Sequence, residues 1–262
     1  MFEVIEELST AKCQCDEHNE DGYVITDRVV AVFDGATDKA NSAHPKPGRQ
    51  AMLAMKQVAT DLGDTDDPEI VAKQLHLAVQ SVWDNAKEPV ATAAVLLAEE
   101  RKVVRIGDIS VGINGKFDVP RKRIDEIAAA ARAALLSTLL TKGASVDELR
   151  DTDPGREMIL PLLQEMNRWA NVSGHELGFP SINGNGTPTE MIDVFEVPVG
   201  GEVVLASDGY VNPQATLESS EQLVEELNRT DPLCIGPPPG TKGIMPGHGS
   251  FDDRTYVRVR MD

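Results

Sequence analysis

Segments with the length and composition of β-strands occur in three groups along the chain, and helical segments separate the groups. Within a group the links have hairpin length, and Asn114-Gly115 is a strong hairpin signal. This order favours antiparallel sheets over alternating parallel units. The predicted strands are residues 2–8, 22–26, 28–35, 90–98, 103–108, 109–114, 191–198, 202–209 and 255–261.

The segments between these groups have apolar residues at helical spacing, as at Val71, Leu75 and Val79. Pro68 suits the first turn of a helix, and Gly143 suits the end of one. The predicted helices are residues 48–62, 68–86, 121–140, 154–170 and 217–227. We therefore predict an α+β fold in which two antiparallel sheets pack together and helices flank them, an α-β-β-α sandwich. We expect residues 1–262 to form one domain, because no linker-like change of composition divides them.

The charge of the chain bears on its partners and its location. Its formal net charge is −18, from 43 acidic and 25 basic residues. Such a field repels polyphosphate backbones, so we expect no nucleic-acid partner. No apolar run is long enough to cross a bilayer, and MFEVIEELST has no basic stretch followed by an apolar one. We therefore expect no membrane partner. Three cysteines are too few for a disulfide framework, so we expect a cytoplasmic protein.

Acidic residues stand at the ends of several predicted strands. Asp34 and Asp208 each end a strand and precede a glycine, Asp252 comes just before the last strand, and Glu20-Asp21 open the first hairpin. Carboxylates that converge repel one another unless a cation neutralises them. Hard Mg²⁺ or Mn²⁺ prefers such oxygen ligands. A single Asp-Gly pair is usually only a turn, so the prediction of a metal site depends on the whole ordered set.

Five segments resemble, in order, the signature segments of the metal-dependent type 2C (PPM) serine/threonine phosphatases. The resemblance implies the same sandwich fold and two bound metal ions. The five segments are NEDGYVITD, VAVFDGATD, ATAAVLLAEERKVVRIGD, VVLASDGY and SFDDRTYVRV. The metal ligands that it implies are Glu20 or Asp21, Asp34 with the carbonyl of Gly35, Asp208 and Asp252, with Asp108 for a weaker third ion.

The resemblance also implies a reaction. Water activated by two Mg²⁺ or Mn²⁺ ions would attack the phosphorus of a phosphate monoester in line, without a covalent intermediate. Asp34, Asp208 and Asp252 would be the catalytic carboxylates, and Asp34 would contact both ions. The expected substrate is phosphoserine or phosphothreonine in a protein, or a small phosphoester.

Two positions depart from the family pattern. Asp16 stands where many members have an arginine that binds the substrate phosphate, and Ala36 stands where a histidine often follows the Asp-Gly pair. We predict that Arg49, at an expected helix start, replaces the arginine, and Lys12 is its rival. His18 and His44 are further sources of a charge or a proton. The departures leave an alternative function open: a catalytically weak or inactive module that binds a phosphorylated partner.

Overall fold

The structure is a computed structural model of the chain, and it describes residues 1–36, 39, 46–62, 67–83 and 89–262. Its strands form two five-stranded antiparallel sheets, ordered β1-β10-β9-β6-β7 and β2-β3-β4-β5-β8. The strands are β1 (Phe2–Thr10), β2 (Asp21–Ile25), β3 (Val29–Gly35), β4 (Ala91–Leu97), β5 (Lys102–Ile106), β6 (Ser110–Ile113), β7 (Lys116–Asp118), β8 (Asp193–Glu196), β9 (Glu202–Ala206) and β10 (Arg254–Met261).

The helices cover the outer faces of the sheets or pack on one another in a separate helical region. The described helices are α1 (Pro47–Ala59), α2 (Pro68–Ser81), α3 (Arg123–Thr141), α4 (Val146–Thr152), α5 (Pro154–Glu165) and α6 (Leu217–Thr230). Helices α1 and α2 pack on the β2–β8 sheet, and α6 packs on the other sheet through Val224, Tyr210 and Tyr256. The prediction of an α+β sandwich of two antiparallel sheets flanked by helices is therefore confirmed.

Alternation along β3 shows where the two main cores lie. Val29, Ala31 and Phe33 point into the core beneath α1 and α2. Val30 and Val32 point the other way, into the core between the two sheets. Successive side chains of a strand point to opposite faces, so a strand buried on both sides is apolar throughout. Only at Asp34 does this apolar sequence end, where the strand reaches the edge of the sandwich.

The helical side region differs from the prediction in its details. The predicted helix 154–170 ends as an α-helix at Glu165 and continues as a short 3₁₀ helix, Met166–Trp169. The predicted helix 68–86 ends at Ser81, and its residues 84–86 lie outside the described ranges. Helix α4 was not predicted. It begins with a capping box between Ser145 and Glu148, which is a local signal for a helix start. No helix in the described part of the chain is long and apolar enough to cross a bilayer.

Candidate metal centre

Two of the acidic residues face each other within one sheet. Asp21 at the start of β2 pairs with Asp34 near the end of β3, and Thr92 on β4 lies opposite Asp34 on its other side. Directly opposed residues of an antiparallel pair project to the same face, with Cβ atoms about 4.5–5.5 Å apart. The ladder therefore brings the carboxyl groups of Asp21 and Asp34 together.

The other sheet supplies Asp208 and Asp252 at the same end of the sandwich. Asp208 follows the end of β9, and Asp252 precedes the start of β10. Ser207 joins the sheets, because its hydroxyl donates a hydrogen bond of 2.5 Å to Asp21 Oδ2 and accepts one of 2.8 Å from the backbone N–H of Thr255. Residues nearly 190 positions apart in sequence thus meet at one edge.

The glycines of the two Asp-Gly pairs permit close backbone contacts. A Cβ on Gly35 would lie 2.1 Å from the carbonyl oxygen of Gly48, at the start of α1. A Cβ on Gly209 would lie 2.1 Å from the carbonyl oxygen of Asp253. Any side chain at either position would push the neighbouring segment away. Gly35 therefore lets the segment that carries Asp34 lie directly against the start of α1. Gly209 lets the segment that carries Asp208 lie directly against the segment that carries Asp253.

A cavity of about 830 Å³ opens at this edge. Asp34, Gly35, Asp108, Asp208 and Asp252 line it. Glu20 and Asp21 are not among the lining residues and are buried behind it, with 1% and 4% of their surfaces exposed. The sequence-predicted acids thus divide into four carboxylates that face the cavity and two that lie beneath it.

The environment raises the pKa of three of these aspartates. Burial raises the pKa of Asp34 well above its ordinary range, and the charges of Asp21, Asp208, Asp108 and Asp252 add to the effect. Burial also raises the pKa of Asp21, although its hydrogen bond from Ser207 opposes the change. Asp208 faces the open cavity, yet desolvation and the charges of Asp252 and Asp108 raise its pKa to about 7. Such a cluster is stabilised by a cation.

Lysines already neutralise part of the cluster. Lys12 Nζ lies 2.9 Å from Asp252 Oδ1, and Lys242 Nζ pairs with Asp252 Oδ2. Burial alone would raise the pKa of Asp252, but Lys242 and Lys12 hold it below its ordinary value. Lys122 Nζ lies 2.8 Å from Asp108 Oδ2 and lowers the pKa of Asp108 against the effect of burial.

The carboxylates of Asp34, Asp108 and Asp208 suit a hard cation better than the carboxylate of Asp252 does. Asp34 and Asp208 have raised pKa values, and Asp108 Oδ1 is buried without a hydrogen-bond partner in the described ranges. Asp252, in contrast, has an ammonium group at each oxygen. No group of three or more His, Cys, Asp or Glu side chains in the described residues is already arranged to hold a metal ion. A metal would therefore require some of these side chains to move closer together.

Of the residues predicted to bind the substrate phosphate, those that the structure describes do not line the cavity. Arg49 does not line the cavity, contrary to its expected position, because its guanidinium donates to the carbonyls of Asp16 at 3.0 Å and Asn19 at 2.5 Å. Lys12 is also absent from the lining and is bound to carboxylates. His18 does not line the cavity, and His44 lies outside the described residues.

Besides Lys122 and Lys242, three cations line the cavity, namely Lys39, Arg121 and Arg156. Arg156, in the first turn of α5, donates a hydrogen bond of 2.9 Å from Nη1 to the carbonyl of Thr241. Lys39 lies half-buried nearby, and burial together with the charges of Lys242 and Arg156 lowers its pKa to about 8. Neither side chain forms an ion pair with a carboxylate in the described ranges. No pattern in the sequence indicates that α5 reaches the strand edge or that Lys39 turns back to it, so neither residue is predicted from the sequence.

A buried arginine positions α5. Arg132 on α3 is fully buried and donates from Nε and Nη2 to the carboxylate of Asp153, at 2.8–3.1 Å. Asp153 in turn accepts a hydrogen bond of 2.8 Å from the backbone N–H of Arg156 and caps α5. Arg132 also donates to the carbonyls of Leu233 and Gly240, on the segment that leads to Lys242. One guanidinium therefore fixes the two segments that supply Arg156 and Lys242.

Comparisons with known proteins agree with this fold. No family profile matches the chain, and no curated protein is significantly similar to it in sequence. A bacterial serine phosphatase of known structure superposes with a TM-score of 0.50 at 14% identity, over 100% of this chain and 98% of that one.

Two further structures are similar over their whole length. One is the serine/threonine phosphatase Stp1 of Staphylococcus aureus, with a TM-score of 0.49 and 14% identity over 100% of this chain and 96% of that one. The other is the Mycobacterium tuberculosis serine/threonine phosphatase PstP/Ppp, with a TM-score of 0.48 and 17% identity over 100% of this chain and 99% of that one. At such identities the likeness concerns the fold alone. The chain has the fold of the metal-dependent type 2C serine/threonine phosphatases, as the order of its sequence segments predicted.

Proposed function

We propose that this protein, acting as one domain, is a metal-dependent phosphatase that hydrolyses phosphate monoesters, with phosphoserine and phosphothreonine in proteins as its substrates. The observation that best supports this proposal is the convergence of Asp34, Asp108 and Asp208 on a cavity that also presents Lys39 and Arg156. Carboxylates suit a divalent cation, and the two basic side chains suit the phosphoryl oxygens that a cation leaves uncovered.

Asp34, Asp108 and Asp208 would hold Mg²⁺ or Mn²⁺, and Asp21 behind them would orient Asp34 and Ser207. A divalent ion in such a site lowers the pKa of bound water and stabilises charge on the phosphoryl group. The chain's own side chains would bind and orient the phosphoryl group. Because Asp252 is already paired with two lysines, its role would be to position them as much as to bind an ion.

Arg156 and Lys39 would bind and orient the phosphoryl group in place of Arg49. Arg156 lines the cavity and uses Nη1 for the carbonyl of Thr241, so its other guanidinium donors would be available to a phosphoryl group. Lys39, with a pKa of about 8, is mostly protonated at neutral pH and can give its proton to a leaving alkoxide. It follows Gly35 by four positions and could replace the histidine that is absent from position 36.

The test is hydrolysis of a phosphoserine peptide by the full chain with added Mn²⁺. The wild type should release phosphate, and Asp34→Asn and Asp208→Asn should each lose this activity while remaining folded, because each removes a charge without removing volume. Asp147→Asn is a matched control, since its side chain is 92% exposed on α4. Full activity in Asp34→Asn would overturn the proposal.

The alternative is a module that binds a phosphorylated partner without turnover. The pairing of Asp252 with Lys12 and Lys242 favours it, because a carboxylate so neutralised attracts a cation less strongly. A phosphopeptide that binds the wild type but is never hydrolysed, at any Mg²⁺ or Mn²⁺ concentration, would support this alternative.

A further inference from the structure

We propose that Lys12 and Lys242 are built-in counter-cations of the carboxylate cluster, so that the protein binds one divalent ion tightly and a second only when Lys242 leaves Asp252. The inference rests on the proposed function, because it concerns the ions that this function uses. Lys12 and Lys242 would thereby set the number of ions that the chain holds tightly.

Lys12 lies within a group of three carboxylates. Its Nζ is 2.9 Å from Asp252 Oδ1, 3.3 Å from Asp253 Oδ2 and 4.0 Å from Glu20 Oε2. Its backbone N–H donates to Asp253 Oδ1 at 2.9 Å, and Asp253 Oδ2 also accepts from the N–H of Glu20 at 3.1 Å. Only 14% of the Lys12 side chain is exposed. Removing this ammonium would leave buried carboxylates unneutralised, so it is a permanent part of the site.

Lys242 has a different position. It belongs to the segment between α6 and β10, lines the cavity and pairs with the second oxygen of Asp252. It pairs with no other carboxylate in the described ranges, and 24% of its side chain is exposed, against 14% for Lys12. Lys242 is therefore the displaceable partner, whereas Lys12 is fixed.

The local charge explains the consequence for metal binding. Glu20, Asp252 and Asp253 contribute three negative charges, and Lys12 with Lys242 contributes two positive ones, which leaves one net negative charge. An ion that approaches Asp252 meets two ammonium groups and must displace one of them. Asp34 and Asp208 differ from Asp252, because neither forms an ion pair with a lysine or arginine in the described ranges. The first ion therefore binds on the Asp34 side.

The experiment is a titration of the metal-free full chain with Mn²⁺, in which free Mn²⁺ is counted by electron paramagnetic resonance. The wild type should bind one ion tightly and a second about tenfold or more weakly, a difference of about 1.4 kcal/mol. Lys242→Met should tighten the second ion by about tenfold while the first changes little. Lys102→Met is the matched control, because Lys102 pairs with Glu196 on the surface and should leave both ions unchanged.

The possible outcomes separate this inference from the proposed function. Two ions bound with equal affinity by the wild type, and unchanged in Lys242→Met, would overturn the inference and leave a metal-dependent phosphatase. Binding of no ion by either protein would overturn both. A second ion that tightens in Lys242→Met but not in Lys102→Met would support the role of Lys242, whatever the activity of the variants.

Discussion

Asp21 and Asp34 are paired directly across the β2–β3 ladder, and only Asp21 receives the hydroxyl of Ser207. The two carboxyl groups therefore lie side by side in different environments. Burial and then the charge of Asp21 are the two largest causes of the raised pKa of Asp34. The pair thus stores electrostatic repulsion that a cation, or the loss of one charge, would relieve.

Asp34→Asn should therefore stabilise the metal-free protein and abolish its stabilisation by Mn²⁺. The amide removes one charge from the cluster and can donate a hydrogen bond to Asp21, whereas the wild type needs an ion for the same relief. An ion at a hundredfold excess over its dissociation constant should stabilise the wild type by about 2.7 kcal/mol. Thermal unfolding with chelator and with Mn²⁺ measures both effects, with Asp147→Asn as the exposed control. A Mn²⁺ shift that survives in Asp34→Asn would contradict the assignment.

Arg156→Met should change substrate binding, whereas Arg49→Met should change the stability of the fold. A charge-assisted contact to a phosphate is worth about 1.5–3 kcal/mol, so Arg156→Met should raise KM about tenfold or more. Arg49→Met should leave KM unchanged and lower the free energy of unfolding, because the carbonyls of Asp16 and Asn19 lose their donor. Steady-state kinetics and urea unfolding of both variants distinguish the two roles. A KM effect confined to Arg49→Met would restore the sequence-based prediction.

The sequence predicted the sandwich and the edge where its acids meet, because both depend on local patterns. Strand periodicity ends at Asp34 and at Ala206, just before Asp208, and the hairpin spacing makes the sheets antiparallel. The chain order of such segments also identified the fold correctly. Their assignment as metal ligands remains a prediction, as do the single domain, the cytoplasmic location and the absence of nucleic-acid and membrane partners.

The sequence could not predict the contacts that the cations of the site make. Lys12 meets Asp252 across 240 positions, and Arg156 reaches the cavity only because Arg132 and Asp153 fix the start of α5. Neither contact has a periodic or local signature. Arg49 is close in sequence to Asp34 and lies at a helix start, but the side chain at such a position can point to either side. Here nearby backbone carbonyls bind it.

His76 gives a prediction about pH that does not involve the metal centre. The buried ring accepts hydrogen bonds at Nδ1 from the N–H groups of Gly184 and Gly186, both at 3.1 Å, and its Nε2 lies 2.7 Å from Thr187 Oγ1. Burial lowers its pKa from 6.5 to about 4. Below pH about 6.5 the unfolded chain binds a proton at His76, whereas the folded chain does not bind it until the pH is near 4. Stability is therefore complete above that pH and is lost as the pH falls towards 4.

The loss should approach about 3 kcal/mol at the acid end of this range. His76→Asn, whose amide oxygen can accept in place of Nδ1, should be less stable at neutral pH but should lose this part of the pH dependence. Urea unfolding between the two pKa values measures it. The control is His175→Asn, since His175 is exposed and stacks on Trp169. Parallel pH profiles of the wild type and His76→Asn would show that another group is responsible.

Lys39 is predicted to protonate the leaving group, and the choice of substrate can test this. p-Nitrophenolate departs as a stable anion and needs no proton, whereas the alkoxide of serine needs one. General acid catalysis contributes about 10²–10⁴-fold when the leaving group requires it. Lys39→Met should therefore lower kcat for a phosphoserine peptide by about 10²-fold or more and change kcat for p-nitrophenyl phosphate far less.

The matched control for this experiment is Lys46→Met. Lys46 lies close in sequence but does not line the cavity, and its ammonium donates to the carbonyl of His18 at 3.4 Å. Lys46→Met should leave the ratio of kcat for the phosphoserine peptide to kcat for p-nitrophenyl phosphate unchanged. If Lys39→Met slows both substrates equally, Lys39 acts by binding the phosphoryl group rather than by giving a proton. Because its pKa is lowered to about 8, the wild-type rate with the phosphoserine peptide should also fall as the pH rises through that value, and the variant should not show this fall.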